Sequence, residues 1–414
     1  MPEMNRLVLI GNGFDLAHNL NTRYEDFINW YWEQRVHDFF GNLTSISKDP
    51  LCTFEIYKTN TIKCWNEFAF QCQNFFHKKR YNEIIHLITN NPSLYNVKRS
   101  PFFTNILKSI KTKRWVDIEN EYYDLLKKYV LEGDGDSKID ELNGQLFFLQ
   151  EKLVKYLSKI EITENIVRTD IRPKIYAPFN HSDIAIGGQD TLEAHIEEGI
   201  KQENHELDLK FQQYGSCYSS GFVDGYRKKW VKNGKIDWDC VPKELLLPNQ
   251  ILLLNFNYTK TAQFYCKNTS IFNIIQIHGE LEHPSSVIFG YGDELDEDYK
   301  KIMNKNDNRY LGNIKSVKYL ESDNYRRVLS FIESEPYQIL IMGHSCGNSD
   351  RTLLNTLFEH KNCVSIKPYY YKDKETGKDN YLELVQNISR NFKDMKLMRD
   401  RVVNKTFTEP LTSY

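Results

Sequence analysis

The residues best suited to chemistry stand directly behind short apolar runs, and the first set is the pentapeptide from Gly11 to Asp15. A turn that brackets one residue between two glycines lets backbone N–H groups approach a phosphate, and a following helix aims its positive N-terminus at the same point. Leu16 stands where the full dinucleotide fingerprint has its third glycine, so a tight turn without a ligand stays the alternative. The nucleotide-binding residues predicted here are Gly11, Asn12, Gly13, Phe14 and Asp15.

Four later apolar runs also end in polar residues. The runs are 251–256, 272–277, 287–289 and 338–342. The polar residues at their ends are Asn255-Phe256-Asn257-Tyr258-Thr259, His278-Gly279, Gly290-Tyr291-Gly292-Asp293 and the loop from Gly343 to Asp350. Asn, Asp and Gly also cap helices and end strands, but five such turns in succession favour a bound ligand at one edge of a sheet. The site predicted there contains Asn255, Asn257, Tyr258, His278, Gly279, Gly343, His344, Ser345 and Asp350.

The loop after the run 338–342 also matches a second kind of site. Gly343-His344-Ser345-Cys346-Gly347 fits the G-x-S-x-G nucleophile elbow, in which a strained turn presents a serine to a histidine base. Asp350 and His360 follow, but both fall on or beside the next helix and too near the serine to build a separated triad. A hydrolase that depends on Ser345 is therefore a rival hypothesis.

The elements that must position these residues alternate between strands and helices. After Pro248, apolar runs recur with helical or polar stretches between them, which predicts a parallel sheet covered on both faces. Residues from about 23 to 160 instead carry aromatic and long charged side chains at helical spacing. The predicted fold is α/β, a Rossmann-like, mostly parallel sheet interrupted by a large helical insertion. Its predicted domains are residues 1–25 plus 248–414, which bind the nucleotide, and 26–247, which form the mainly helical insertion.

Composition argues against several other function classes. The chain has 414 residues, with 54 Lys and Arg against 56 Asp and Glu, and its formal charge of −2 gives no global reason to expect nucleic acid or an anionic membrane as partner. No apolar run reaches about 18 residues and the N-terminus lacks a signal pattern, which predicts a cytoplasmic protein. The eight cysteines show no zinc-site spacing, so neither a metal nor disulfides are expected.

Taken in chain order, these motifs resemble a known family. The segment 7–18, the Trp115-Val116-Asp117-Ile118-Glu119 helix, the Asn255 turn, Ile277-His278-Gly279 and the Gly343 to Asp350 loop are similar to the bacterial phage-resistance family called abortive infection protein AbiH. The resemblance covers both ends of the chain, and the middle only through the tryptophan helix. In that helix Trp115 and Ile118 are predicted to be buried, and Asp117 and Glu119 are predicted as surface charges, with a place at the mouth of the site as the alternative.

A more distant resemblance is to sirtuin-like, NAD-binding domains. Asn257 falls on the sirtuin asparagine, His278 on the sirtuin catalytic histidine, and Gly343-His344-Ser345 on the nucleotide loop. The resemblance implies NAD as substrate or ligand. Thr259 replaces the aspartate that contacts the nicotinamide amide, and the four-cysteine zinc module is missing, so protein deacetylation is not expected.

The two resemblances together imply an antiphage protein that hydrolyses NAD on infection. His278 would deprotonate a ribose hydroxyl or orient water, and Asn257 would hold the ribose or that water. The alternative is a nucleotide-binding sensor without catalysis, in which the helical insertion recognises a phage component or a partner protein. Both hypotheses are compatible with a homo-oligomer.

Overall fold

The computed structural model describes residues 4–41, 46–56, 95–113, 117–132, 136–214, 231–232, 235–266 and 272–412. Their strands are β1 (Asn5–Ile10), β2 (Ile46–Lys48), β3 (Cys52–Ile56), β4 (Tyr95–Arg99), β5 (Val231–Lys232), β6 (Lys235–Ile236), β7 (Ile251–Asn255), β8 (Phe272–Gln276), β9 (Tyr337–Met342) and β10 (Cys363–Tyr369). Their α-helices are α1 (Asn12–Ala17), α2 (Tyr24–Gly41), α3 (Pro101–Lys113), α4 (Ile118–Glu132), α5 (Asp136–Leu157), α6 (Arg172–Ile175), α7 (Gln189–Tyr214), α8 (Glu297–Met303), α9 (Lys315–Lys318), α10 (Asn324–Ser334), α11 (Arg351–Phe358), α12 (Tyr381–Arg390) and α13 (Met395–Arg401). Within these ranges, no helix combines the length and the apolar character needed to cross a membrane.

The largest sheet of the described residues has the strand order β10-β9-β1-β7-β8, and all neighbouring strands are parallel. β1 is central, and its Leu7 pairs with Leu252 of β7 and with Ile339 of β9. These three strands are buried along their whole length, which explains why they are continuous apolar runs without alternation. The predicted α/β fold, a Rossmann-like parallel sheet interrupted by a helical insertion, is confirmed.

The chain divides into two compact units. The first comprises Met1–Asn19, Ile162–His278 and Tyr319–Tyr414 and contains the parallel sheet. The second comprises Leu20–Glu161 and Gly279–Lys318. Residues 162–247 group with the sheet in this division, whereas the sequence-based boundaries assign them to the insertion. Those boundaries, at residues 25 and 248, stay a prediction.

The core of the first unit lies around the central strands. On one side, residues of β1, β7 and β9 pack with α1, α6 and Tyr265. This cluster consists of Val8, Ile10, Phe14, Ile171, Ile175, Ile251, Leu253, Ala262, Tyr265, Leu340, Met342, Tyr369 and Leu411. The aromatic ring of Phe14 thereby anchors α1 directly behind β1, which holds the first polar loop at the sheet edge.

The described part of the second unit is mainly helical. Trp32 of α2, Phe103 of α3, Tyr122 of α4 and Leu146 of α5 are buried in it. Strands β2, β3 and β4 form an antiparallel sheet in the same unit. Ile118 is buried, as predicted, and Trp115 lies outside the described residues.

Glu119 of α4 is buried, and the prediction of a surface charge there is wrong. Its Oε2 accepts a hydrogen bond from Lys315 Nζ at 3.0 Å, and its Oε1 accepts one from the Gly290 N–H at 3.1 Å. A buried carboxylate needs such partners, and both come from residues far away in sequence. Asp117 is half-buried and accepts from the Asn120 N–H at the start of α4.

The strand predicted at 287–289 is also wrong. These residues are buried, but they form no strand and belong to the second unit. The next two backbone N–H groups do not pair with a strand of the parallel sheet: the Gly290 N–H donates to Glu119, and the Tyr291 N–H donates to the Asn313 carbonyl at 3.1 Å. A short apolar run signals burial, and by itself it does not signal a strand.

Candidate active site

The first unit places the ends of several parallel strands along one edge of the sheet. β7 and β8 lie on one side of β1, and β9 and β10 lie on the other. In open α/β sheets, the reversal of strand order opens a crevice beyond the carboxyl ends of the strands, and ligands bind there. The polar loops behind β1, β7, β8 and β9 therefore form the candidate site.

Glycines of the first loop pack against the loop after β9. The Gly13 N–H donates to the Gly343 carbonyl at 2.8 Å, and the Gly11 N–H donates to the Met342 carbonyl at 3.3 Å. A Cβ atom on Gly13 would lie 2.8 Å from the Gly343 oxygen, and one on Gly343, whose φ is +77°, would overlap the Phe14 nitrogen. The glycines thus permit close packing of two backbones. The N–H groups of Gly11 and Gly13, predicted to bind a phosphate, already donate to protein carbonyls.

The loop after β7 is tied to the first loop by asparagine side chains. Asn255 Oδ1 accepts from the Asn257 N–H at 3.0 Å, and Asn255 Nδ2 donates to the Thr259 carbonyl at 3.1 Å. Asn257 Nδ2 donates to the Gly11 carbonyl at 3.0 Å. Both amides therefore hold the loops at this edge of the sheet in place. The role of Asn257 toward a ribose stays a prediction.

Asp15 joins the same two loops from inside the protein. Its side chain is buried, and its Oδ2 accepts a hydrogen bond from Thr259 Oγ1 at 2.6 Å. Burial raises the pKa of this carboxyl, and hydrogen bonds from Thr259, Thr261 and Asn257 oppose the rise. Thr259, which differs from the sirtuin pattern, thus has a structural partner in Asp15.

Two histidines flank one carboxylate at this edge. The Nε2 of His278 lies 3.1 Å from Oδ1 of Asp350, and the Nε2 of His344 lies 3.6 Å from Oδ2 of the same carboxylate. All three residues are buried, at 5 %, 6 % and 8 % exposure for His278, His344 and Asp350. A carboxylate beside an imidazole orients the ring and stabilises the imidazolium that forms when it takes a proton. His278 therefore has the partner that a general base requires.

Hydrogen bonds define which nitrogen of His344 carries the proton. The Cys346 N–H donates to His344 Nδ1 at 3.0 Å, so Nδ1 supplies a lone pair and Nε2 carries the proton on the side of Asp350. In His278, Nε2 also lies 3.3 Å from the hydroxyl of Tyr319. A proton on Nε2 that faces Asp350 leaves Nδ1 as the basic nitrogen of His278.

Aromatic rings surround His278. The Phe256 ring is edge-on to His278 at a centroid distance of 5.3 Å and lies 4.1 Å from the His344 ring. The Tyr319 ring is parallel to His278 at 6.2 Å, and the Tyr258 ring lies at 6.4 Å. Flat apolar surfaces beside a base are suitable for a ligand that contains a planar ring.

Ser345 does not join this group. Its side chain is exposed, and within the part of the chain that the structure describes no hydrogen bond joins its hydroxyl to a histidine. The positive φ angles belong to Gly343 and Cys346, at +77° and +54°, whereas a nucleophile elbow strains the turn at the serine. His360 instead pairs with Glu333, at 3.1 Å. The geometry gives no support to the Ser345 hydrolase.

The remaining predicted residues have other surroundings. Asn12 is exposed on the first turn of α1, and Gly279 is the first residue of the second segment of the second unit. Sequence reasoning missed Tyr319, since no motif contains it, and it did not place Asp350 against His278. Among the described residues, no three His, Cys, Asp or Glu side chains are arranged to hold a metal ion.

Comparison with known proteins identifies one family. The family described as bacteriophage abortive infection AbiH matches residues 7–371. No curated protein and no solved structure matches the chain. The resemblance to sirtuin-like domains stays a prediction.

Proposed function

Because the chain belongs to the bacteriophage abortive infection AbiH family, we propose that it is an abortive-infection enzyme that hydrolyses the nicotinamide–ribose bond of NAD. The observation that carries the proposal is the placement of His278, Asp350 and His344 at the carboxyl ends of a parallel sheet, where the loop after β9 extends from the switch point between β1 and β9 to the end of β8. This is where an open α/β sheet binds its ligand. The resemblance of Asn257 and His278 to sirtuin residues supports NAD as the substrate.

The chemistry needs one base in a site with little water. Water adds to the anomeric carbon of the ribose as the bond to the nicotinamide nitrogen breaks, and the ring nitrogen keeps the electron pair. The products are nicotinamide, ADP-ribose and one proton. His278 takes that proton from water, and the Asp350 carboxylate stabilises the resulting imidazolium. Such a base contributes about 10²–10⁴-fold to the rate.

The surroundings of His278 support a substrate with a flat ring. The ring centroids of Phe256, Tyr319 and Tyr258 lie 5.3, 6.2 and 6.4 Å from that of the imidazole. Stacking on such rings is a common way to bind nicotinamide or adenine without many polar contacts. Since the Gly11 and Gly13 N–H groups already donate to protein carbonyls, the proposal assigns them to holding the loops and not to the pyrophosphate.

The test uses the purified full-length protein with NAD, and chromatography measures nicotinamide and ADP-ribose. The wild type is expected to release both in equal amounts, and His278→Ala should lower the rate by about 10²-fold or more. His205→Ala, at an exposed position of α7, is the matched control and should retain wild-type activity. Equal rates in wild type and His278→Ala would contradict the proposal. Binding of NAD without any release of nicotinamide would favour the sensor hypothesis instead.

A further inference from the structure

Two asparagines at the end of α12 hold the loop that contains His344. Asn387 Nδ2 donates to the Ser345 carbonyl at 2.9 Å, and Asn391 Nδ2 donates to the Cys346 carbonyl at 2.9 Å. The two asparagines are one helical turn apart, so the same face of the helix end presents both amides to successive carbonyls. Asn391 is completely buried.

Cys346 is the residue that needs such an anchor. Its φ of +54° lies in the left-handed region, which is unfavourable for a residue with a Cβ atom and persists only where the surroundings hold it. Its side chain is fully buried. Asn391 Nδ2 donates to the Cys346 carbonyl, and the Cys346 N–H donates to His344 Nδ1 at 3.0 Å. The strained backbone thus connects Asn391 to His344.

We propose that Asn391 is a positioning residue for the histidine pair. By holding the Cys346 carbonyl, it keeps the Cys346 N–H on His344 Nδ1, and this places the His344 proton on Nε2, which faces the Asp350 carboxylate beside His278. The consequence for catalysis rests on the proposed NAD hydrolysis. The structural part, the tautomer of His344, is measurable without any substrate.

A purely structural role for Asn391 is the competing explanation. Its Nδ2 also donates to the Asn387 carbonyl at 2.8 Å, and its own carbonyl accepts from Asn355 Nδ2 at 2.9 Å. The first bond is local to the end of α12 and the second joins it to α11, and both would matter for stability alone. Loss of stability therefore does not separate the two explanations, whereas the protonation of one imidazole nitrogen does.

The first arm of the test is ¹⁵N NMR of the protein labelled at histidine, with His344 assigned by the loss of its signals in His344→Gln. In the wild type, Nδ1 of His344 should show the shift of an unprotonated nitrogen and Nε2 that of a protonated one. Folded Asn391→Ala should lose this single tautomer, and Gln386→Ala, at an exposed position of α12, should keep it. An unchanged tautomer in folded Asn391→Ala would overturn the proposal.

If Asn391→Ala does not fold, Asn391→Leu takes its place, because leucine keeps the size of the side chain and cannot donate to the Cys346 carbonyl. Loss of the single tautomer is expected in Asn391→Leu, and wild-type signals there would overturn the proposal, whereas Asn387→Ala, which removes only the bond to the Ser345 carbonyl, should keep the tautomer. The second arm is kinetic: Asn391→Ala should lower kcat for NAD about 10²-fold with a KM within a few-fold of the wild type. A changed tautomer with unchanged kcat would refute the positioning role. A wild type that does not hydrolyse NAD would refute the proposed function, while the tautomer measurement would still be decisive.

Discussion

Nε2 of His278 lies 3.1 Å from Oδ1 of Asp350, although the two residues follow β8 and β9, which are separated in the sheet by β7 and β1. Three strand spacings amount to about 14 Å. The loop from Gly343 to Asp350 must therefore extend across the ends of β1 and β7 to bring its carboxylate to His278. Phe256, at the end of β7, contacts both His278 and His344 on the way.

Asp350→Asn should reduce NAD hydrolysis while the protein stays folded. The amide keeps the size of the carboxylate but cannot stabilise the imidazolium of His278, so kcat should fall about 10²–10⁴-fold with little change in KM. Steady-state kinetics checks this. Asp239→Asn, at an exposed position of the same unit, is the control and should behave like the wild type. Full activity in Asp350→Asn would show that the contact with His278 has no catalytic role.

Gly13→Ala should destabilise the first unit. The new Cβ atom would lie 2.8 Å from the Gly343 oxygen, and both partners are backbone, so the free energy of unfolding should fall by about 1–3 kcal/mol. Denaturant unfolding measures it. Gly144→Ala is the opposite case: its Cβ on α5 would meet nothing within 4 Å, and it should stabilise by about 0.5–1 kcal/mol. A Gly13→Ala protein as stable as the wild type would contradict the packing role of this glycine.

The sequence predicted the sheet well and the contacts of the site only in part. Continuous apolar runs such as 7–10 and 338–342 are typical of parallel strands, and the convergence of their ends follows from the topology. The contact of Asp350 with His278 was not predictable, because it depends on the left-handed backbone of Cys346, where no glycine signals it. The false strand at 287–289 has a different origin, since the run is buried without being a strand and the next backbone donor, the Gly290 N–H, pairs with the buried carboxylate of Glu119.

Asp15→Asn should change how stability depends on pH. The folded-state pKa of Asp15 is raised above its ordinary value of 3.8, mainly by burial. Well below pH 3.8 the Asp15 carboxyl is protonated in both the folded and the unfolded state. As the pH rises, the carboxyl ionises first in the unfolded state, so the wild type loses stability until the carboxyl of the folded state ionises too. The difference in unfolding free energy between Asp15→Asn and the wild type should therefore increasingly favour the variant from about pH 4 upward. A difference that does not vary with pH would contradict this assignment.

Lys315→Met should destabilise the second unit strongly. It leaves Glu119, 3.0 Å from the lysine nitrogen, as a buried carboxylate without its cation, which costs about 3–5 kcal/mol. The double variant Glu119→Gln/Lys315→Met should recover much of that loss, because glutamine can still accept from the Gly290 N–H. Thermal and denaturant unfolding measure both effects. Lys301→Met, which breaks an exposed pair with Asp298 on α8, is the control and should change little; an equally small effect at Lys315 would contradict the role of the buried pair.

The most direct test of the account is the NAD content of bacteria that carry the gene for this protein, measured by chromatography through a phage infection. Cells with the wild type or with His205→Ala should lose NAD, accumulate nicotinamide and release few phage. Cells with His278→Ala, at equal protein level, should keep their NAD and lose protection. Protection with unchanged NAD, or equal depletion in wild type and His278→Ala, would contradict the account.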